Sequence, residues 1–288
     1  MNKKKLINIF VHLFLALLVI VWVLPIIWII LISFRGEQGA YTSTVLPKTY
    51  TINNYVRLFT ETDMFNFPLW FRNTFIVACF SCVISTFYTL SVSYVMSRIR
   101  FKMRKKLMNI ALVLGMFPGF MAMIAVYYIL KGVGLTTGAL KLVALVLVYS
   151  GGAGLTFYVA KGFFDTISKS IDEAAYIDGC TKWQVFTKIT IPLSKPIIVQ
   201  TILSAFIAPW MDFIFAKVIA GSESKYYTVA IGLWNMLEKE NITNYYTRFA
   251  AGAVLVSIPI AILFCSMQKY YMEGSTCLLY TSPSPRDA

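Results

Sequence analysis

The chain has 288 residues, of which 58% are hydrophobic and 14% charged, with a mean hydropathy of +0.69. Soluble domains carry about 25% charged residues, so this composition excludes an ordinary soluble protein and indicates an integral membrane protein. The formal charge of +13 does not indicate nucleic acid, because the basic residues gather at the ends of apolar runs instead of forming a stripe interleaved with base-reading aromatics.

A helix needs about 20 apolar residues to cross roughly 30 Å of hydrocarbon. Six runs of that kind are expected, at residues 10–32, 71–97, 107–130, 142–160, 197–220 and 249–267. The first follows the basic start MNKKK and has no small-residue cleavage site, so it reads as a retained anchor and not a signal peptide. Cytoplasmic loops are enriched in lysine and arginine. Lys3, Lys4 and Lys5 precede the first run, and Arg98, Arg100, Lys102, Arg104, Lys105 and Lys106 follow the second. Both segments are therefore expected in the cytoplasm, and six crossings bring the carboxyl end back to the same side. The stretches 33–70, 131–141 and 221–247 are then extracytoplasmic.

Between the fourth and fifth runs the chain becomes polar, and Asp172 to Pro196 read DEAAYIDGCTKWQVFTKITIPLSKP. Ser170-Ile171-Asp172-Glu173 has the spacing of a capping box, with two carboxylates opposing the positive end of a helix dipole. Ala174 and Ala175 offer a small-residue face, and Gly179 is a natural stop because it tolerates left-handed backbone. Thr181 and Gln184 repeat the capping pattern and start a second helix, with Val185, Phe186 and Ile189 available for packing. Pro192 and Pro196 then break the path into the fifth run. The expectation is a helix–turn–helix elbow on the cytoplasmic face. An amphipathic loop lying in the headgroups is disfavoured, because its carboxylates would be repelled by anionic lipid.

Elsewhere the chemistry is sparse. Cys79 and Cys82 mimic a C-x-x-C pair but lie in an apolar run, His12 is the only histidine, and no metal or disulfide site is expected. The glycines of SGGAG (Gly151, Gly152, Gly154) lack the lysine of a phosphate loop and read as packing or bending positions. Asp212 is the one carboxylate well inside an expected span, where a charge costs roughly 2.5 to 3.5 kcal/mol on insertion scales. It therefore faces a polar pathway, braces an interface, or lies nearer the outer end. Pro118 and Pro259 are expected to shape their helices, and Tyr127, Tyr128 and Trp210 are candidates for stacking on a sugar.

Glu173-Ala174-Ala175, Asp178-Gly179, Phe186, Ile189, Pro192-Leu193 and Pro196 together resemble the EAA loop of permease subunits of ATP-binding-cassette importers. Two positions depart from that pattern: Cys180 stands where alanine is frequent, and Ile191 where leucine is usual. Further stretches are similar to the carbohydrate branch, in particular the second permease subunit of maltose and maltodextrin systems. They are Arg72-Asn73-Thr74, Met116-Phe117-Pro118-Gly119, the segment YYILKGVGL from Tyr127, Trp210-Met211-Asp212-Phe213, Tyr226-Tyr227-Thr228 with Gly232-Leu233, and Gln268-Lys269-Tyr270-Tyr271 ahead of Glu273-Gly274.

The resemblance implies an all-α membrane protein, a six-helix bundle like that of type I importers, with the elbow as a cytoplasmic coupling helix. Its domain plan is a cytoplasmic amino terminus (1–9), a first helix with an extracytoplasmic loop (10–70), a permease core (71–268) containing the coupling loop (163–196), and a cytoplasmic tail (269–288). It further implies docking on ATPase subunits through Glu173, Ala174, Ala175, Asp178, Gly179, Phe186, Ile189 and Pro192. A second permease subunit in a heterodimer and an extracytoplasmic solute-binding protein complete the assembly. This chain would bind no cofactor, ATP being used by the partner, and would import a carbohydrate, maltodextrin above all, or alternatively another sugar or a glycerol phosphate. A membrane enzyme lacks any catalytic constellation here, and a channel leaves the elbow unexplained. The resemblance stops after Gly274, and 275–288, with two Ser-Pro pairs and no helical period, read as a non-native end.

Overall fold

The computed structural model describes residues 3–37, 39, 44, 46–116, 119–151 and 156–280, with side chains described as far as residue 270. The helices, in chain order, are α1 (Lys3–Ser33), α2 (Asn53–Thr60), α3 (Phe67–Arg98), α4 (Arg104–Gly115), α5 (Gly119–Gly132), α6 (Leu140–Gly151), α7 (Thr156–Thr166), α8 (Lys169–Ile177) and α9 (Lys182–Gln184). A π-helical segment, Val185–Thr190, leads to α10 (Ile191–Leu193) and α11 (Lys195–Met211), then α12 (Ile214–Ala220), a 3-10 turn at Ser224–Tyr226, α13 (Val229–Met236) and α14 (Ile242–Tyr280). Among the described residues the one extended pairing is an isolated antiparallel bridge between Arg35 and Tyr50.

Four helical stretches are long and apolar enough to cross a membrane: Ile7–Ser33, Phe67–Arg98, Leu140–Thr166 and Ile242–Tyr270. The third and fifth expected spans are not single rods. Within the third, Arg104–Gly115 and Gly119–Gly132 meet at 104°, and the fifth is divided at Asp212 between α11 and α12. Ahead of the fifth, where Pro192 and Pro196 are expected to break the path, Lys182–Leu193 and Lys195–Met211 meet at 83°. Among the described residues the helices long and apolar enough to cross number four, or up to six if each bent pair is one span. The second bend sits at Ser194 (φ −103°, ψ 19°), flanked by Pro192 and Pro196, whose missing N–H groups cannot continue a helical ladder. Pro118, Gly152 and Gly154 lie outside the described residues. Pro259 lies inside α14, which runs through it and on to Tyr280, into the stretch expected to lack helix.

The chain divides into two compact units. In the first, residues 1–69 with 231–258, the side chain of Asn54 donates to the Ser33 and Arg35 carbonyls (2.9 and 2.7 Å) and accepts from Thr247 Oγ1 (3.1 Å). One buried amide thereby joins the end of α1, the start of α2 and the start of α14. Glu61 pairs with Arg57 and Arg248, each at 2.6 Å. Gly252 lets α14 close on its neighbours: a Cβ there would lie 2.6 Å from Leu233 Cδ2 and 3.2 Å from the Phe67 ring. Most of α1 exposes aliphatic side chains, as a helix in contact with lipid does.

The second unit comprises residues 70–230 and 259–288. Its organising helix is α3, on which Ser81, Ser85, Thr89, Ser93 and Ser97 recur every fourth residue and are all buried. Small hydroxyl side chains at this spacing let helix backbones approach closely within a membrane. Ser93 Oγ is 2.5 Å from the Thr89 carbonyl and 2.9 Å from the Phe157 carbonyl of α7, and Cys82 Sγ lies 3.5 Å from the Ile202 carbonyl of α11.

At the start of α3, Asn73 Nδ2 donates to the Lys225 and Tyr227 carbonyls (2.9 and 3.1 Å). Thr74 Oγ1 accepts from the Val229 amide (2.8 Å). The Arg72-Asn73-Thr74 and Tyr226-Tyr227-Thr228 stretches, about 150 residues apart in sequence, are thus two sides of one hydrogen-bonded joint. Nearby, Lys141 Nζ reaches the Ala220 carbonyl (2.9 Å) and Glu223 (2.5 Å).

Candidate functional site

The elbow forms where the sequence expects it, with one cap displaced. Helix α8 is capped by Ser168, which has extended backbone (φ −59°, ψ 133°) and accepts from the Ser170 amide at 3.4 Å. Ser170 already lies within the first turn, so the expected Ser170–Glu173 box does not form and Glu173 sits two positions deeper in the helix than the box requires. The far end of α8 closes as a Schellman motif. Gly179 has φ +83°, its amide donates to the Tyr176 carbonyl (3.1 Å), and the Cys180 amide donates to the Ala175 carbonyl (2.9 Å). The left-handed residue thus turns the chain directly into the second arm.

That arm opens with a full capping box. Gln184 Oε1 accepts from the Thr181 amide (2.7 Å) and Thr181 Oγ1 from the Gln184 amide (3.3 Å). Downstream the helix widens into the π segment immediately before Pro192, which offers no N–H to the preceding turn. Such local π turns are frequent at functional positions.

Burial sorts the elbow residues into two sets. Ala175 and Phe186 are buried, and Ile189 is half-buried. Phe186 joins Leu90, Tyr94, Ala160, Phe164 and Ile197 in one hydrophobic cluster, with its ring 4.6 Å from that of Tyr94. Glu173, Ala174, Asp178, Gly179 and Pro192 face outward. Of the expected small-residue face, therefore, only Ala174 is open to another protein. Successive helix positions lie about 100° apart, so Ala175 points back into the bundle. The outward surface also carries Ile177 and Trp183, 87% and 64% exposed, neither of which the sequence alone singles out for docking. Ile177 lies on the side of α8 away from Ala175, whereas the Trp183 ring packs on that of Phe186, with centroids 5.7 Å apart, and keeps its outer side exposed.

The arms are held from beneath by the last turn of α3. Tyr94 Oη donates to the Lys182 carbonyl at 3.3 Å. Arg98 Nη2 donates to the carbonyls of Phe164 and Ile167, both at 2.8 Å, and Arg98 Nε lies 3.4 Å from Asp172 Oδ2. Sequence reading used Arg98 only as a topology charge and Asp172 only as a dipole partner. Ser97 meanwhile donates to Asp165 (2.6 Å), which also pairs with Lys161 (2.5 Å).

Each of the four candidates for a sugar pathway has its own surroundings. Asp212 stands at a break between α11 and α12, with extended backbone (ψ 116°), and not within a continuous helix. Its carboxylate accepts from the Phe215 and Ala216 amides (3.2 and 3.1 Å) and from Tyr149 Oη (2.6 Å), so α12 and a tyrosine of α6 absorb the charge. Trp210 is only 4% exposed and packs edge-on against Phe71 (5.2 Å) and tilted on Phe206 (5.9 Å). Tyr127 and Tyr128 form a T-shaped pair on α5 (5.6 Å), with Tyr128 facing outward. A separate open cavity of about 360 Å³ lies between α3, α6 and α7, lined by Ile84, Tyr88, Thr89, Leu147, Ser150 and Phe157 among others. Among the described residues no cluster of His, Cys, Asp and Glu could hold a metal.

Comparison with known proteins places this arrangement. A sequence profile of the family described as "Binding-protein-dependent transport system inner membrane component" matches residues 89–271. The chain is 33% identical over 275 residues to the maltodextrin transport system permease protein MdxG of Bacillus subtilis (strain 168), covering 96% of each. It is 32% identical over 268 residues to the galactooligosaccharides transport system permease protein GanQ of the same organism, covering 93% of each. In three dimensions it is similar to a chain in the crystal structure of a bacterial ABC transporter involved in the import of the acidic polysaccharide alginate. The TM-score is 0.76 at 22% identity, over 94% of this chain and 99% of that one. The match takes in more than half of the chain, including the whole elbow and the turn of α3 that holds it, and the chain belongs to the family of binding-protein-dependent transport system inner membrane components.

Proposed function

We propose that the chain is a permease subunit of an ATP-driven importer of oligosaccharides, and that its elbow is the surface on which a separate ATPase docks. The observation that carries this reading is the division of the elbow into two faces. One is anchored in the bundle through Phe186 and Ala175, and the other presents Glu173, Ala174, Asp178, Ile177 and Trp183. A doubly capped, rigid helix pair with an outward face of mixed apolar and acidic character suits a protein partner carrying a complementary cleft. In this reading the elbow lies in the cytoplasm, and closing of an ATPase pair on ATP moves it. A second permease completes the pore, and an extracytoplasmic binding protein delivers the sugar.

The substrate class rests on the relatives, whose names specify maltodextrin and galactooligosaccharides. The test is to purify the complex from its host and measure uptake of labelled maltotriose and of a galactotriose. An ATPase and a second permease are expected in the complex, with uptake of one or both sugars. A complex without a nucleotide-binding subunit contradicts the assignment.

A further inference from the structure

The end of α3 is built differently from an ordinary helix terminus. Tyr94 and Arg98 are four residues apart, hence on one face, and between them they hold both arms of the elbow: Tyr94 the second, through the Lys182 carbonyl and the Phe186 ring, and Arg98 the first, through Asp172. Arg98 also closes α7 by donating to its Phe164 carbonyl and to the Ile167 carbonyl just beyond. Both side chains of the ion pair are buried, at 4% and 9% exposure. Asp172 is therefore not available to a docking protein, although it adjoins the exposed Glu173.

The contact is also incomplete. Arg98 Nη1 and Asp172 Oδ1 have no hydrogen-bond partner among the described residues, and the single point of approach is 3.4 Å. A guanidinium and a carboxylate bond most strongly as a two-point fork, and a buried polar atom left without a partner carries a free-energy cost. The spare donor and the spare acceptor are the kind of groups a closer approach of α8 to α3 would use.

We propose that Arg98 is the positioning residue that joins the elbow to α3, so that elbow and helix move as one body when the elbow is displaced, with Asp172 as its counterpart. This rests on the elbow being the ATPase contact, and it adds which membrane helix receives the displacement and through which side chains. Packing of Phe186 holds the second arm whatever the charge at position 172, whereas the first arm is held by the small Ala175 side chain and by the pair.

The test uses the full transporter complex, with spin labels on cysteines placed at Lys169 in the elbow and Val83 on the exposed face of α3. With the parent side chains the distance between labels is expected to stay constant when a non-hydrolysable ATP analogue is added, while the elbow moves relative to the ATPase. Asp172→Asn, which keeps shape and removes charge, is expected to make that distance change on adding the analogue. It should also reduce labelled maltotriose imported per ATP hydrolysed by about tenfold, the order of one coupling contact. Asp172→Glu restores both. An unchanged distance and unchanged sugar-to-ATP ratio in Asp172→Asn overturns the joint, as does equal loss in Asp172→Glu, which would mark a merely structural site. Absence of an ATPase from the parent complex is a separate result, seen before any variant is made, and overturns the function on which the joint rests.

Discussion

Gly179 shows how far a single residue was legible and what it controls. Its φ of +83° lies in the region that costs a side-chain-bearing residue on the order of 1 to 3 kcal/mol, yet no atom lies within 4 Å of a Cβ added there. The cost of substitution is therefore backbone strain alone, placed at the turn between the two arms. Gly179→Val is expected to leave membrane insertion intact but to weaken ATPase co-purification at least fivefold, with about 1 to 3 kcal/mol of strain relieved by opening the turn. ATPase recovered at the parent level would show that the turn's geometry is not what the partner reads. The glycine could be read from sequence because a helix end needs that conformation. The neighbouring cap was misassigned because Ser168 and Ser170 are equivalent in type, and only the extended backbone at Ser168 decides between them.

At the scale of elements, continuous apolar runs were legible, and breaks were legible where proline marks them but not at Asp212. Residues 71–97 were expected as a span and α3 runs Phe67–Arg98, because an uninterrupted apolar run has no alternative to a helix in lipid. The break at Ser194, ahead of the fifth run, was legible because Pro192 and Pro196 flank it. The run itself was expected as one rod because composition does not register the break at Asp212, where a capping carboxylate begins another helix. The Ser/Thr stripe of α3 was equally hidden, since hydroxyls every fourth residue barely alter the average apolarity of a run.

The link between α2 and α14 yields a prediction with a definite sign. Hydrogen bonding from Arg57, against desolvation and aided by Arg248, holds the Glu61 carboxyl below its ordinary range. A carboxylate depressed in the folded state contributes stability above its unfolded pKa of about 4.3, and that contribution is lost as pH falls through the lower folded value. Amide protection in α2, corrected for intrinsic exchange, is expected to be flat from about pH 8 to pH 5 and to drop below about pH 4. Glu61→Gln removes that step. An identical acid profile in the variant would assign the transition to another group.

At the scale of the whole molecule, the family and the elbow could be read from local sequence because their residues are contiguous. Asn73 with Lys225, and Arg98 with Asp172, could not, since nothing local encodes contacts across 152 and 74 positions. The surroundings of the candidate pathway residues were hidden for the same reason. Trp210 was singled out as an aromatic in a span, but its neighbours Phe71 and Phe206 cover it. What unites the molecule's features is a rigid elbow with one face anchored on α3 and the other open. A photo-crosslinker in place of Ile177, the most exposed apolar side chain of the elbow, tests that claim most directly in native membranes. The adduct is expected to be a nucleotide-binding ATPase; an adduct with lipid alone, or with an extracytoplasmic protein, would contradict it.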